Sequence, residues 1–406
     1  MAELRDTKLS GAEIVALYCE PWDSPLRTSK HHFLAHLARA NRVLYVEMPL
    51  HPLSALRHPD QGRRALRRLM RGPLSLRNGL AVLAPACLLP YHRGSGWTGR
   101  LAVNALNQRI VLPQLRRALN ALGFRRPIFW FYFPHAVGLL DRLPHRLVAY
   151  HLVDDLTAMG GIPPSLATLE QQLLARADLV VATSRRLYET RRRFCREIHL
   201  VRHGAFVPEF ALAADPATPI PEDLERLPRP VVGYYGALHK LDLDLLRRVA
   251  SARPTWSFAL IGPTSGSQGA DLAPLRGVAN VHLLGPRPFE RLPNYLRGFD
   301  VAMMPFRVDP LTEAMCPIKM YEFLAAGKPV VSTDLPEVRE MGDLVRRASD
   351  ADGFLGCLEA ALAVGDPGAC VRRQDAARAH TWPARFAELE GLLVKALAAK
   401  TGDGGS

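Results

Sequence analysis

Short apolar runs alternate with helical patterns along this chain, in two series parted by a dense set of prolines. That alternation constrains the fold most, because strand, helix and strand in succession form the βαβ unit of a parallel sheet. The first series predicts strands at Ile14–Tyr18, Val43–Val46, Leu80–Leu83, Ile128–Phe133, Leu147–His151 and Leu179–Thr183. Helical patterns fall at Phe33–Ala40, Thr98–Leu122 and Leu166–Ala177. Pro208, Pro216, Pro219, Pro221, Pro228 and Pro230 then interrupt the pattern, and such spacing suits a linker with one helical turn at Glu222–Arg226. The second series predicts strands at Val231–Tyr235, Trp256–Ile261, Val281–Leu284, Val301–Met304 and Pro329–Ser332. Helices are expected at Leu241–Ala250, Leu292–Leu296, Lys319–Ala326 and Ala384–Ala399. The chain therefore reads as two α/β domains, 1–207 and 208–380, with a helix over 381–400 packing back towards the first.

Bulk properties narrow the function. At 406 residues the chain has room for two domains. No apolar run reaches the ~18 residues that span a bilayer, and Pro85 breaks the stretch from Gly79 to Leu89. The start, MAELRDTKLSGAE, lacks the order of a secretion signal, so a cytoplasmic place is expected. The six cysteines, at 19, 87, 195, 316, 357 and 370, form no CxxC pair, which argues against a disulfide framework or a thiolate zinc site.

The 52 Lys and Arg outnumber the 39 Asp and Glu, and a net charge of +13 favours an anionic partner. Arg63, Arg64, Arg67, Arg68 and Arg71 share a stretch with Leu66, Leu69 and Met70. This is either an amphipathic helix resting on the anionic inner face of a membrane or a solvated surface helix. Arg185, Arg186, Arg191, Arg192, Arg193 and Arg196 form a second cluster of the same ambiguity. No helix-turn-helix, zinc-finger or base-stacking motif supports nucleic acid as the partner.

The segment PIKMYEFLAAGKPVVSTDLP, 317–336, carries the densest chemistry. Pro317 suits a helix's first turn, and Gly327 its end. Free N–H groups near Ile318, with Lys319 beside them, would favour a phosphate. The Glu322 carboxylate could accept two hydrogen bonds from a diol such as ribose, or could simply pair with Lys319 on the helix surface. Asp154 and Asp155 follow a strand, and either could take a proton from an attacking hydroxyl. The alternative is an Asx cap on the next turn. His31 and His32, after the first strand, could contact an acceptor or fill a polar niche, and His135 is a third option. Asp242 and Asp244 invite a metal reading, but side chains two apart on a helix diverge, so no metal site is expected.

These stretches resemble the GT-B glycosyltransferases, close to the GT4-like group that includes teichuronic acid transferases. The resemblance rests on VALYCEPWDSPLRTSKHHFLAHL (15–37), YHLVDD (150–155), VVATS (180–184), VGYYGAL (232–238), WSFALIG (256–262), NVHLLGPRPFERLPNYLRGFDVAMMPF (280–306) and PIKMYEFLAAGKPVVSTDLPEV (317–338). It implies two Rossmann-like domains facing a central cleft. The first would bind the acceptor and the second a nucleotide-sugar, UDP- or GDP-linked, with no permanent cofactor and no metal. It implies a hexosyltransferase of polysaccharide biosynthesis acting on a glycan, lipid-linked or small-molecule acceptor. It places Glu322 at the ribose, Lys319 at the diphosphate, Gly236 in the glycine turn, and Lys240 and Arg287 as further contacts. The family's second glutamate falls on Ala314, with Glu313 beside it, so Glu313 takes that role or the role is absent. An epimerase or hydrolase of the same fold, and a non-catalytic polyanion binder, are the competing readings.

Overall fold

The computed structural model describes residues 8–24, 28–51, 74–77, 80–89, 99–158, 163–264, 271–363 and 367–402. The basic stretch Arg63–Arg71 lies outside them. The chain divides into two compact units, one of Met1–Val201 with Phe386–Ser406, the other of Arg202–Arg385.

The first unit is built on strands β1 (Glu13–Cys19), β2 (Arg42–Glu47), β3 (Leu74–Arg77), β4 (Leu80–Leu83), β5 (Ile128–Phe131), β6 (Leu147–Leu152), β7 (Leu179–Ala182) and β8 (Ile198–Leu200). They lie in the order β3-β4-β2-β1-β5-β6-β7-β8, and every pairing is parallel except β3 with β4. From β1 the chain fills one side, through β2 to the edge strand β3 and back to β4, then returns and works outward from β5 on the other. The strand order thus reverses between β1 and β5. Parallel strands covered on both faces bury every side chain, which is why β5 and β7 read as unbroken apolar runs and β6 as one interrupted only by the buried His151. β1 carries an irregularity at Tyr18, whose φ of 60° is left-handed and whose register shifts before Cys19. Such a bulge re-aims the residues that follow.

The second unit holds β9 (Val231–Tyr235), β10 (Ser257–Ile261), β11 (Val281–Leu283), β12 (Val301–Met304), β13 (Val330–Thr333) and β14 (Val345–Ala348). Their order is β11-β10-β9-β12-β13-β14, all parallel, with the reversal between β9 and β12. Its core runs from Phe210 and Leu224 through the sheet to Leu358 and Ala377.

Three expectations shift. The division falls at Val201/Arg202, ahead of 207/208, because Ala205 already bridges Thr381 and Phe210 already stacks on Tyr235. The expected linker opens with a helix, Val207–Ala211, since Pro208 sits in its first turn, where a missing N–H costs nothing. The last helix runs Trp382–Gly402, and from Phe386 onward it belongs to the first unit. There His36 Nε2 lies 2.6 Å from the buried Glu390 carboxylate, and Phe386 stacks on the His36 ring.

Gly233, in the middle of β9, has the Phe299 ring where a Cβ would stand. Gly233→Ala is therefore expected to destabilise the second unit by about 1–3 kcal/mol, the usual cost of forcing extra atoms into a packed core. Urea unfolding followed by fluorescence measures it.

Candidate functional site

β9 is central in its sheet and ends at the strand reversal, where open parallel sheets bind ligands. Its chain leaves through Gly236, at φ +143°, a conformation side chains other than glycine rarely adopt. The neighbouring strand β10 leaves through Gly262, and a Cβ there would run into the Gly236 carbonyl oxygen. The Gly236 N–H donates to the Ile261 carbonyl at 2.9 Å, which fixes the two turns against each other. A Cβ on Gly236 would in turn lie 2.6 Å from the Tyr234 hydroxyl and 3.6 Å from Lys319 Cε.

Lys319 belongs to the helix Ile318–Ala325, whose N-cap is Pro317. Pro317 offers no side-chain cap to the first turn, where the Met320 N–H donates to the Pro317 carbonyl at 3.2 Å. Gly327, at φ +67°, ends the helix as expected. One turn in, Glu322 is 2% exposed. Its Oε2 accepts from the Tyr235 hydroxyl at 2.8 Å and from Lys319 Nζ at 2.9 Å. Lys319 Nζ also sits 4.6 Å over the Tyr235 ring. Tyr235 is held from both sides, stacked on Phe210 and edge-on to Phe323. Burial, with the Glu322 charge beside it, pushes the Tyr235 phenol well above its ordinary pKa. It therefore stays protonated and keeps donating to Glu322. The structure thus brings Gly236, Pro317, Ile318, Lys319 and Glu322 together.

Lys240 approaches the same helix entry, with Nζ 3.2 Å from the Met315 sulfur. Arg287 is engaged elsewhere: it donates to the Tyr295 hydroxyl at 2.6 Å and to Asp223 at 2.7 Å, joining helix Leu292–Gly298 to the turn Glu222–Glu225. Its bonds describe a structural cross-link. Asp242 is a helix N-cap, accepting from the Leu245 N–H at 2.9 Å. Ala314, where the family pattern has its second glutamate, is fully buried, and Glu313 is half-buried in the turn before it. Sequence reasoning passed over Tyr235 and Gly262, although both lie in stretches that carried the resemblance. Their roles come from what they touch, not from their residue type.

In the first unit, Asp155 is bound on both oxygens. Arg191 donates to Oδ1 at 2.7 Å and to Oδ2 at 3.1 Å, and Thr157 donates to Oδ1 through its hydroxyl at 2.6 Å and its N–H at 3.1 Å. Arg191 also reaches the buried Glu170, which accepts from the Tyr150 hydroxyl. Of the two readings of Asp155, this geometry supports the turn-capping one and disfavours a general base. It also removes Arg191 from the basic surface cluster. Asp154 is half-buried beside it. His31 is fully buried, its Nδ1 accepting from the Thr28 N–H at 3.1 Å and its Nε2 3.1 Å from the Pro21 carbonyl. It fills a polar niche. His32, next on the helix Ser29–Leu37, is half-buried.

Residues 229–363 match the family of glycosyl transferases, group 1. Solved structures match the fold over nearly the whole chain. Sucrose-phosphate synthase from Thermosynechococcus elongatus matches with a TM-score of 0.68 at 15% identity, covering 95% of this chain and 100% of that one. Trehalose 6-phosphate synthase from Burkholderia multivorans matches at 0.67 and 11% identity, covering 98% and 100%. An E. coli trehalose-6-phosphate structure bound with UDP-2-fluoro glucose matches at 0.65 and 14%, covering 95% and 98%.

The fold is GT-B.

TuaH of Bacillus subtilis (strain 168), named as a teichuronic acid biosynthesis glycosyltransferase, is 28% identical over 235 residues, 55% of this chain and 58% of that protein. With the family match, it bears out the resemblance to GT4-like glycosyltransferases.

Burial raises the Asp155 carboxyl, but the Thr157 and Arg191 bonds outweigh it and hold the group below its ordinary value. Its contribution to stability is thus full above pH ~4 and is lost as pH falls through the lowered pKa. Asp155→Asn should destabilise the first unit by about 1–3 kcal/mol at neutral pH and flatten its acid-unfolding curve. Denaturant titrations at several pH values decide this.

Proposed function

We propose that this protein is a glycosyltransferase that moves a hexose from a UDP- or GDP-sugar to a glycan, lipid-linked or small-molecule acceptor. The second unit binds the donor and the first the acceptor. The observation that carries the reading is the Glu322 carboxylate, held out of water on Oε2 by Tyr235 and Lys319 beside the Gly236 turn. Its other oxygen is the acceptor offered to a ribose hydroxyl. A carboxylate fixed in this way needs no reorganisation when the ligand arrives. The group 1 family match over this region supports a sugar donor, and the E. coli neighbour holds a UDP-sugar on the same fold.

The chemistry follows from the same residues. When the glycosidic bond to the diphosphate breaks, negative charge grows on the leaving phosphate. Lys319 and the uncapped N–H groups at the Ile318 helix start supply fixed positive ends for that charge. Lys240, at the entry to that helix, adds a second cation. The acceptor hydroxyl must lose a proton as it attacks. We assign that step to Asp154 ahead of Asp155, because Asp155 is committed to Arg191 and Thr157. The donor substrate replaces any permanent cofactor. The acceptor's link to polysaccharide, suggested by TuaH, belongs to this proposal as well.

Thermal unfolding with UDP-, GDP-, ADP- and dTDP-sugars tests the donor site. One class should stabilise the protein by about 2–3 kcal/mol at ~100 times its Kd. Glu322→Ala should remove most of that gain. If every nucleotide-sugar leaves the melting temperature unchanged, the reading fails. Asp154→Asn should keep the nucleotide-induced shift and lower turnover by about 10²-fold or more, the scale of general-base catalysis. Unchanged turnover would move the base elsewhere.

A further inference from the structure

The first unit has its own strand reversal, between β1 and β5, and three polar side chains gather there, Lys30 and Tyr132 buried and Glu20 half-buried. Glu20 follows β1 directly, beyond the bulge at Tyr18. Tyr132 follows β5 directly. Lys30 sits in the first turn of the helix that follows β1. Lys30 is 5% exposed, and its ammonium lies 2.5 Å from Glu20 Oε1. The same ammonium lies 4.9 Å from the centre of the Phe133 ring and 5.4 Å from that of Tyr132. Glu20 Oε2 is buried and makes no hydrogen bond within the protein, and the buried Tyr132 hydroxyl faces the Trp130 indole N–H, which leaves its own proton to donate. The loop around them is firmly held. Tyr45 donates to the Glu20 carbonyl at 2.7 Å, and the Trp22 N–H donates to Glu47 at 2.9 Å.

Buried polar atoms are nearly always satisfied, and leaving an acceptor and a donor open beside an ion pair is costly. Here they stand at the carboxyl ends of the two strands that flank the reversal, the place where open parallel sheets take ligands. The site contributes a carboxylate oxygen that only accepts, an ammonium that only donates, and a hydroxyl with its proton to donate. Phe133, half-buried beside them, adds an apolar ring face. That set matches the neighbouring hydroxyls and the C–H face of a pyranose. Charge decides between sugar classes. The Lys30 charge is already met by Glu20, so the pair offers little to a phosphate.

We propose that Glu20, Lys30 and Tyr132, with Phe133 beside them, bind an uncharged sugar ring of the acceptor in the first unit. This rests on the glycosyltransferase reading and gives its acceptor a chemical class. Tyr132 stays protonated there, because burial pushes its phenol well above its ordinary pKa.

The test is saturation-transfer NMR on the full chain, titrating methyl pyranosides of glucose, galactose, mannose and N-acetylglucosamine against glucose 6-phosphate. At least one methyl pyranoside should bind, and more tightly than the phosphorylated sugar. Tyr132→Phe and Glu20→Gln should each weaken it about tenfold, the worth of a hydrogen bond in a buried site. Circular dichroism should show both variants folded, and the nucleotide-induced melting shift should be unchanged in them. Three results overturn the proposal: no methyl pyranoside binds, glucose 6-phosphate binds better, or folded variants bind as the parent does. A parent protein that ignores every nucleotide-sugar would sink the donor reading alone, since the sugar titration is read independently.

Discussion

Parallel strands cannot be joined by tight turns, so each must be reached by a crossover, and that constraint orders both units. Each β-strand's carboxyl end therefore opens onto the same edge as its parallel neighbours'. Where the strand order reverses, two connecting segments leave in opposite directions, and a gap in backbone cover results. In the second unit that place receives Gly236, Lys319, Glu322 and Tyr235. In the first it receives Glu20, Lys30 and Tyr132. The two constellations share no residue pattern, yet topology puts them at equivalent positions.

Electrostatics separates the two. At the Ile318 helix, a half-exposed cation and uncapped N–H groups surround a single buried carboxylate, which favours a ligand that brings negative charge alongside hydroxyls. At the β1 end the ion pair is closed on itself and the open capacity is neutral. Asp155 shows the opposite use of a carboxylate. With both oxygens spent on Arg191 and Thr157, it fastens a turn and an internal arginine rather than waiting for a substrate.

Much of this was legible in the chain. The apolar runs of β9 and β12 and the Gly327 stop announce themselves, because each is encoded by a local pattern. β14, with the sequence VRRA, escaped because its middle is basic and only its end residues, Val345 and Ala348, are buried. Helix Pro367–Arg378 escaped because PGACVRRQDAAR has no apolar period. At the site, Glu322 and Lys319 were visible in one motif. Their partner Tyr235 is 87 residues away from Glu322, and Arg191 is 36 from Asp155. Pairings at that range are set by the fold and leave no mark on spacing. Glu20, Lys30 and Tyr132 stayed hidden for the same reason, each looking ordinary by itself.

The abutting turns at Gly236 and Gly262 carry a consequence for how such a sequence can drift. The first glycine is required by its own backbone angle, the second by its neighbour's oxygen. A larger residue at 262 can be accommodated only if the 236 turn moves, and that turn lies against Lys319. Neither position tolerates a side chain while the other keeps its place, so the two glycines act as one constraint on the turn beside Lys319.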